Sequence, residues 1–155
     1  MKWFIRILLI LVVIFIILQF FRPERITEEI TADHIFEQED IPEEIRSLLV
    51  KSCLDCHSMQ TRYLWYHRIM PASYLVNNHI TGGREDLNLS YWGKMEQMQK
   101  LTALDKMCEE VENGNMPLKS YLLLHPGAKF SDEEKEIFCN WIENMNESIL
   151  IQMIE

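Results

Sequence analysis

The sequence has little positive charge. It contains 15 Lys and Arg residues against 24 Asp and Glu residues, which gives a formal net charge of −9 at pH 7. This balance excludes a nucleic-acid-binding surface and leaves no basic patch for anionic lipid. A protein partner recognised through charge is therefore expected to be basic.

Long hydrophobic runs are also scarce, because only the N-terminus has one. Residues 7–18 are apolar without interruption, and residues 3–21 would form a helix about 28 Å long, close to the thickness of a bilayer's hydrocarbon layer. A buried core helix explains this run poorly, since no second run of comparable hydrophobicity exists to cover it. The segment that follows lacks the small residues of a signal-peptide cleavage site. We therefore predict an uncleaved transmembrane anchor over residues 1–22.

Cysteine occurs only four times. No second Cys or His pair at short spacing accompanies Cys53 and Cys56, which argues against a structural zinc site. No strand-like alternation surrounds this pair, which argues against a thioredoxin-like redox site. Cys108 and Cys139 could pair in an oxidising compartment or stay as buried free thiols. The sequence cannot place them within bonding distance, and we do not predict a disulfide.

The most informative stretch is residues 53–57, which read Cys-Leu-Asp-Cys-His. This is the pattern of c-type haem attachment, in which Cys53 and Cys56 each add across one vinyl group and His57 becomes an axial ligand of the iron. One covalent haem would also supply apolar surface to a small domain. The basic residues flanking the anchor leave its orientation undecided. Since haem is attached outside the cytoplasm, the motif favours an external domain.

The opposite axial position decides the chemistry of the iron. Met116 is the preferred ligand because it stands in a turn-forming Gly-Asn-Met-Pro segment, where Pro117 restricts the chain beside the sulfur. Met70 precedes a proline as well, but it follows His57 closely. The alternatives left open are Met70, His79, His125 and an empty position.

The rest of the chain predicts helices. Residues 23–40 form an acidic linker that holds the domain off the membrane, with His34 solvated. The domain spans residues 41–147 and begins with a helix capped by Asp40. Residues 59–92 are irregular and aromatic, broken at Pro71 and Gly82-Gly83, and suited to packing on a porphyrin.

Two further helices complete the predicted domain. One covers residues 94–113 and ends at Gly114. The other begins at Ser131, which forms a capping box with Glu134. Their predicted inward-facing residues are Met95, Met98, Leu101, Leu104, Cys108, Val111, Ile137, Phe138, Trp141, Ile142 and Met145. Residues 148–155 form a tail for which we predict no structure.

Several motifs in one order resemble the haem-binding domain family of small, membrane-anchored bacterial c-type proteins. The resemblance covers residues 53–141. It departs from the family at Leu64, where a proline is usual, and at Leu89, which is often aromatic. The matching elements are Cys53-Leu54-Asp55-Cys56-His57-Ser58, Trp65-Tyr66, Ile69, Pro71, His79, Gly83-Arg84, Leu87-Asn88, Ser90, Trp92, Met116-Pro117, Tyr121, His125-Pro126 and Trp141.

The resemblance implies an all-α, cytochrome c-like helical domain around one haem c, behind a single transmembrane helix. It also implies a bacterial inner-membrane protein with its haem domain in the periplasm. It gives weight to His79, Arg84 and Asn88, and Arg84 is expected to pair with a haem propionate.

Three functions remain open. The first is a monohaem cytochrome that relays single electrons to a redox partner and is not an enzyme. The second is a haem-based sensor or small-ligand-binding module with an open or displaceable distal position. In the third, the motif is a coincidence and the chain is a structural anchored domain.

Overall fold

The structure is a computed structural model and describes residues 2–154. It is all-helical, and these residues contain no strand. Helix α1 covers Lys2–Leu18 and continues into a 3-10 turn at Gln19–Phe21. No side chain of α1 is buried. Within the described residues, Lys2–Phe21 is the single stretch long and apolar enough to cross a membrane. The all-α class and the N-terminal apolar helix are as predicted.

The acidic stretch after α1 is not a free spacer. Helix α2 covers Ile35–Gln38, and Ile35 and Phe36 are buried in the core. His34, predicted to be solvated, is 0% exposed, and its Nδ1 accepts a hydrogen bond from the Phe36 N–H at 3.1 Å. The prediction for His34 is therefore wrong. Its apolar neighbours carry it into the core.

Helix α3 covers Glu43–Ser52 and α4 covers Leu54–His57. The first turn of α3 carries two carboxylates at the positive end of the helix dipole. Pro42 occupies the position before the helix, so Asp40 is not its cap, contrary to the prediction. The buried face of α3 consists of Ile45, Leu48 and Leu49.

Helix α5 covers Ala72–Asp86 and follows a 3-10 turn at Trp65–Arg68. It runs through Gly82 and Gly83 without interruption, so the predicted break at this pair is wrong. A Cβ at position 83 would lie 2.9 Å from the backbone oxygen of Cys56. Glycine is required there because α4 and α5 approach so closely.

Helices α6, α7 and α8 cover Gln97–Glu112, Lys119–Leu122 and Asp132–Ile154, with 3-10 turns at Leu89–Lys94 and Pro126–Ala128. Gly114 follows α6 with φ of 67°, a left-handed stop as predicted. The Ser131–Glu134 capping box is present at the start of α8. Residues 148–154, for which we predicted no structure, continue α8. The last residue of the predicted tail lies outside the described residues.

A disulfide joins Cys108 on α6 to Cys139 on α8, a pairing that the sequence left open. It reinforces the contact between the two longest helices of the domain. Met98, predicted to face inward, is 59% exposed. The continuous apolar core comprises Ile35, Phe36, Ile41, Ile45, Leu48, Leu49, Leu54, Leu89, Trp92, Leu101, Leu104, Val111, Phe130, Phe138, Ile142, Met145 and Ile149.

Candidate functional site

The Cys-Leu-Asp-Cys-His motif forms one helical turn at the end of α3. The backbone N–H groups of Cys56 and His57 both donate to the carbonyl of Cys53, at 3.1 and 2.9 Å. The two cysteines therefore lie one turn apart, with the histidine directly after the second. This is the spacing at which two thiols can reach two vinyl groups while the imidazole lies under the same porphyrin.

The two thiols lie in apolar surroundings. Burial raises the pKa of Cys53 to about 12 and that of Cys56 to about 11. Both thiols are therefore protonated at neutral pH. A reactive or zinc-bound cysteine is instead held as the thiolate.

His57 is oriented by a backbone carbonyl. Its Nδ1 lies 3.1 Å from the carbonyl oxygen of Leu87, the residue that follows α5. For this contact to be a hydrogen bond, Nδ1 must carry the ring proton and donate it. The Nε2 atom then carries a free lone pair, which is the arrangement of a metal-ligating histidine held by a second contact.

A cavity of about 450 Å³ lies between α4, α5 and the segment around α7. Its volume falls in the range of roughly 300–1,000 Å³ that ligand sites occupy. Cys56, His57 and Met116 all line it. Cys53 is not among the lining residues and packs against the apolar core. The apolar part of the lining includes Leu75, Val76, Ile80, Pro117, Leu118 and Leu124.

Met116 reaches the cavity from the loop between α6 and α7. The N–H groups of Asn115 and Met116 both donate to the carbonyl of Glu110 at 3.0 Å, which ties this loop to the end of α6. Pro117, directly after it, is buried. Met116 therefore lines the cavity from a loop that follows the motif in sequence and is held against the end of α6.

The other candidate axial ligands differ in whether they line the cavity and whether hydrogen bonds already engage their side chains. His79 lines the cavity and is otherwise exposed. His125 also lines it, but its Nε2 lies 3.2 Å from the hydroxyl of Tyr66 and its Nδ1 lies 3.2 Å from the carbonyl of Tyr121. Met70 is buried and does not belong to the described residues that line the cavity. Met116 and His79 thus line the cavity without the hydrogen bonds that engage both ring nitrogens of His125.

Arg84 does not line the cavity. Its Nε donates to the carbonyl of Ser58 at 2.8 Å, and its Nη2 donates to Thr61 Oγ1 and to the Ile26 carbonyl, both at 3.0 Å. These bonds fasten the loop after the motif and the segment after α1 to α5. The predicted contact of Arg84 with a haem propionate stays a prediction, and the function proposed for the cavity does not depend on it.

A hydrogen-bonded group that is not evident from the sequence lies at the cavity wall, centred on the buried Asp55. Arg62 donates from Nε and Nη2 to the two carboxylate oxygens at 3.2 and 3.0 Å, and the Tyr121 hydroxyl donates to Oδ2 at 2.8 Å. Burial alone would raise the pKa of Asp55, but the bonds from Arg62 and Tyr121 hold it below its ordinary value. Nothing in the sequence links these three positions, because they meet only in the fold.

The Asp55 group continues into a row of stacked rings. The Tyr121 ring stacks on the His125 ring with centroids 4.0 Å apart, and Tyr66 stacks on His67 at 4.3 Å. The hydrogen bond between Tyr66 and His125 joins the two pairs. All four rings line the cavity, so one wall is aromatic and fixed by polar contacts.

A protein-family model described as "Haem-binding domain" matches residues 13–144. No curated protein and no solved structure matches the chain. The matched region begins inside α1 and ends inside α8, so it contains the whole cavity.

Proposed function

Because the chain belongs to the haem-binding domain family, we propose that it is a membrane-tethered monohaem c-type cytochrome that relays single electrons and is not an enzyme. The observation that carries this proposal is the convergence of Cys56, His57 and Met116 on one cavity. These residues would supply a haem with an attachment point and two different axial ligands. A haem held between them would cycle between two iron oxidation states without binding a substrate.

The attachment follows from the motif turn. The S–H groups of Cys53 and Cys56 would each add across one vinyl group, so that two thioether bonds form and no atom is lost. Cys56 lines the cavity, while Cys53 lies one turn away against the core. The covalent links then hold one edge of the macrocycle at the end of α3.

The residues at the cavity would tune a bound haem iron. The Leu87 carbonyl favours the His57 tautomer that leaves Nε2 free to bind the metal. The thioether of Met116, as a second ligand, would favour the reduced iron and raise the reduction potential relative to a second imidazole. The apolar part of the lining would favour the less charged, reduced centre in the same direction.

The tether is α1. Trp3 and Phe4 lie at one end of the apolar Lys2–Phe21 span and Phe20 and Phe21 at the other, all at least 70% exposed. Tryptophan is enriched at the membrane–water interface, which suits the position of Trp3. Because a covalent haem is attached outside the cytoplasm, we propose that α1 spans the bacterial inner membrane and that the domain lies on its periplasmic side. The net charge of −9 suits a basic redox partner.

Visible spectra of the full chain, produced with the haem-ligation machinery, test this function. We expect sharp low-spin bands in the reduced form and the weak near-red band of a methionine–iron bond in the oxidised form. Met116→Ala should abolish the near-red band and lower the potential. His79→Ala is the matched control and should leave both unchanged.

Carbon monoxide separates the electron carrier from the ligand-binding alternative. An iron with both axial positions filled should bind it slowly and incompletely. A high-spin spectrum with rapid, full binding would instead assign the protein to the sensor class, and a chain without haem would contradict both functions.

A further inference from the structure

The end of α1 is fastened to the turn that precedes α5. The side-chain amide of Gln19 forms two hydrogen bonds with the backbone of Met70. The Met70 N–H donates to Gln19 Oε1 at 3.0 Å, and Gln19 Nε2 donates to the Met70 carbonyl at 3.3 Å. Arg22 donates from Nη1 to the Arg68 carbonyl at 2.9 Å. The backbone of residues 68–70 therefore lies beside the end of the predicted membrane span.

Large apolar side chains are exposed around this backbone. Trp65 is 70% exposed, and Tyr74 and Leu75 are 54% and 58% exposed. Isolated exposed apolar residues are ordinary, but a group close together along the chain marks an interaction surface. We call this group the collar patch, which comprises Leu64, Trp65, Ile69, Tyr74 and Leu75.

The charge of this part of the chain is unlike that of the rest. Residues 56–84 contain no Asp or Glu, although the protein has 24 acidic residues. The charged side chains of this stretch are those of Arg62, Arg68 and Arg84. Arg62 bonds Asp55 and Arg84 bonds backbone carbonyls, so the exposed Arg68 is the arginine of this stretch that can pair with lipid phosphate.

We propose that the collar patch lies in the headgroup layer of the membrane that α1 spans, so that the domain rests against the bilayer. This inference depends on the membrane anchor in the proposed function and adds the orientation of the domain. Trp and Tyr side chains favour the bilayer interface, where the ring is buried and the polar tip is hydrated. The exposed Phe20 and Phe21 stand between Gln19 and Arg22, the two residues that bond the backbone of Met70 and Arg68.

The orientation has a consequence for the cavity. Leu75 belongs to the collar patch and also lines the cavity, and Tyr66, next to Trp65, lines it too. The collar patch therefore adjoins the cavity. This orientation is incompatible with the predicted role of residues 23–40 as a spacer that holds the domain off the membrane. The segment is pinned to the domain by Glu28, whose N–H donates to the Met59 carbonyl at 3.0 Å.

Photocrosslinking tests the orientation. The full chain is placed in nanodiscs of mixed phosphatidylethanolamine and phosphatidylglycerol, with a benzophenone amino acid introduced at position 20, 65, 74 or 98 in separate samples. Mass spectrometry then measures the yield of lipid adduct. Position 20 reports on the anchor, positions 65 and 74 on the collar patch, and position 98 is the control, since Met98 is apolar and 59% exposed on α6.

We expect adducts at position 20 and a several-fold higher yield at positions 65 and 74 than at position 98. Adducts at position 20 with yields at 65 and 74 no higher than at 98 would overturn the orientation and leave the anchor intact. No adduct at position 20 would overturn the anchor itself. Gln19→Ala sharpens the result, because loss of the contact with Met70 should lower the yield at 65 and not at 20.

Discussion

The helices α3, α6 and α8 pack a continuous apolar core, whereas residues 55–88 and 115–125 surround a cavity. We call these the scaffold region and the cavity region. The core cluster contains no described residue between Leu54 and Leu89. The buried apolar side chains of the cavity region are few, among them Met59, Tyr66, Met70 and Ile80. Apolar burial stabilises the scaffold region by itself, and the cavity region depends on what fills it.

This difference assigns separate tasks to the two regions. The disulfide and the packing of α6 on α8 give the scaffold region stability without a cofactor. The motif turn stands where the two regions meet, since Cys53 packs on the core and Cys56 lines the cavity. A haem attached there would be anchored to the stable region and would complete the core of the other.

The largest expected effect comes from truncating matched isoleucines in the two regions. Ile142→Ala removes a side chain that is 2% exposed in the scaffold core and should cost about 2–5 kcal/mol with or without haem. Ile80, 3% exposed, lines the cavity. Ile80→Ala should cost a similar amount only in the haem-loaded protein. Chemical unfolding of the full chain in detergent measures the loss of unfolding free energy in both variants. Equal losses for Ile142→Ala and Ile80→Ala in the haem-free chain would contradict the distinction between the two regions.

The disulfide should matter to the scaffold region alone. Replacing Cys108 and Cys139 together by alanine should lower the free energy of unfolding by about 2–4 kcal/mol. The amount of covalent haem per chain should not change, because neither residue lines the cavity. Absorbance and unfolding are measured on the same samples. A variant that loses haem while its unfolding is unchanged would contradict this assignment.

A methyl group at position 83 should disturb the cavity region. In Gly83→Ala the new Cβ would lie 2.9 Å from the Cys56 backbone oxygen, so α4 and α5 must separate. The haem-loaded protein should lose about 1–3 kcal/mol, and the yield of attached haem should fall. Gly127→Ala is the control, since a Cβ there meets nothing within 4 Å, and its effect should stay within about 0.5 kcal/mol.

The smallest expected effect is a dependence of stability on pH from His34. Burial lowers the pKa of this imidazole below its ordinary 6.5. The unfolded chain therefore binds the proton more readily, and stability that is fully present above pH 6.5 is lost as the pH falls through the folded-state value. His34→Asn keeps an acceptor for the Phe36 N–H and removes the titrating group. Its unfolding free energy should change less between pH 8 and pH 5 than that of the parent, and parallel curves would refute the role of His34.

The parts that sequence predicted are those encoded locally. The capping box at Ser131, the left-handed stop at Gly114 and the apolar run of α1 each depend on residues a few positions apart. The motif turn around Cys53 is local as well. Membership of the family, expected from several motifs in one order, is shown by the match over residues 13–144.

The parts that sequence missed depend on which segments meet in space. Gly83 looks like a helix break until α4 is placed against it, and His34 looks solvated until its neighbours enter the core. Composition cannot show that Asp55 meets Arg62 and Tyr121. The identity of the distal ligand stays a prediction, since Met116 and His79 share one cavity.

The most direct test is backbone hydrogen exchange of the full chain, compared between protein exported with the haem-ligation machinery and protein exported without it. We expect haem to increase protection in residues 55–88 and 115–125, while α3, α6 and α8 are protected in both samples. Equal protection of the cavity region in the two samples, or loss of protection in all helices without haem, would contradict it.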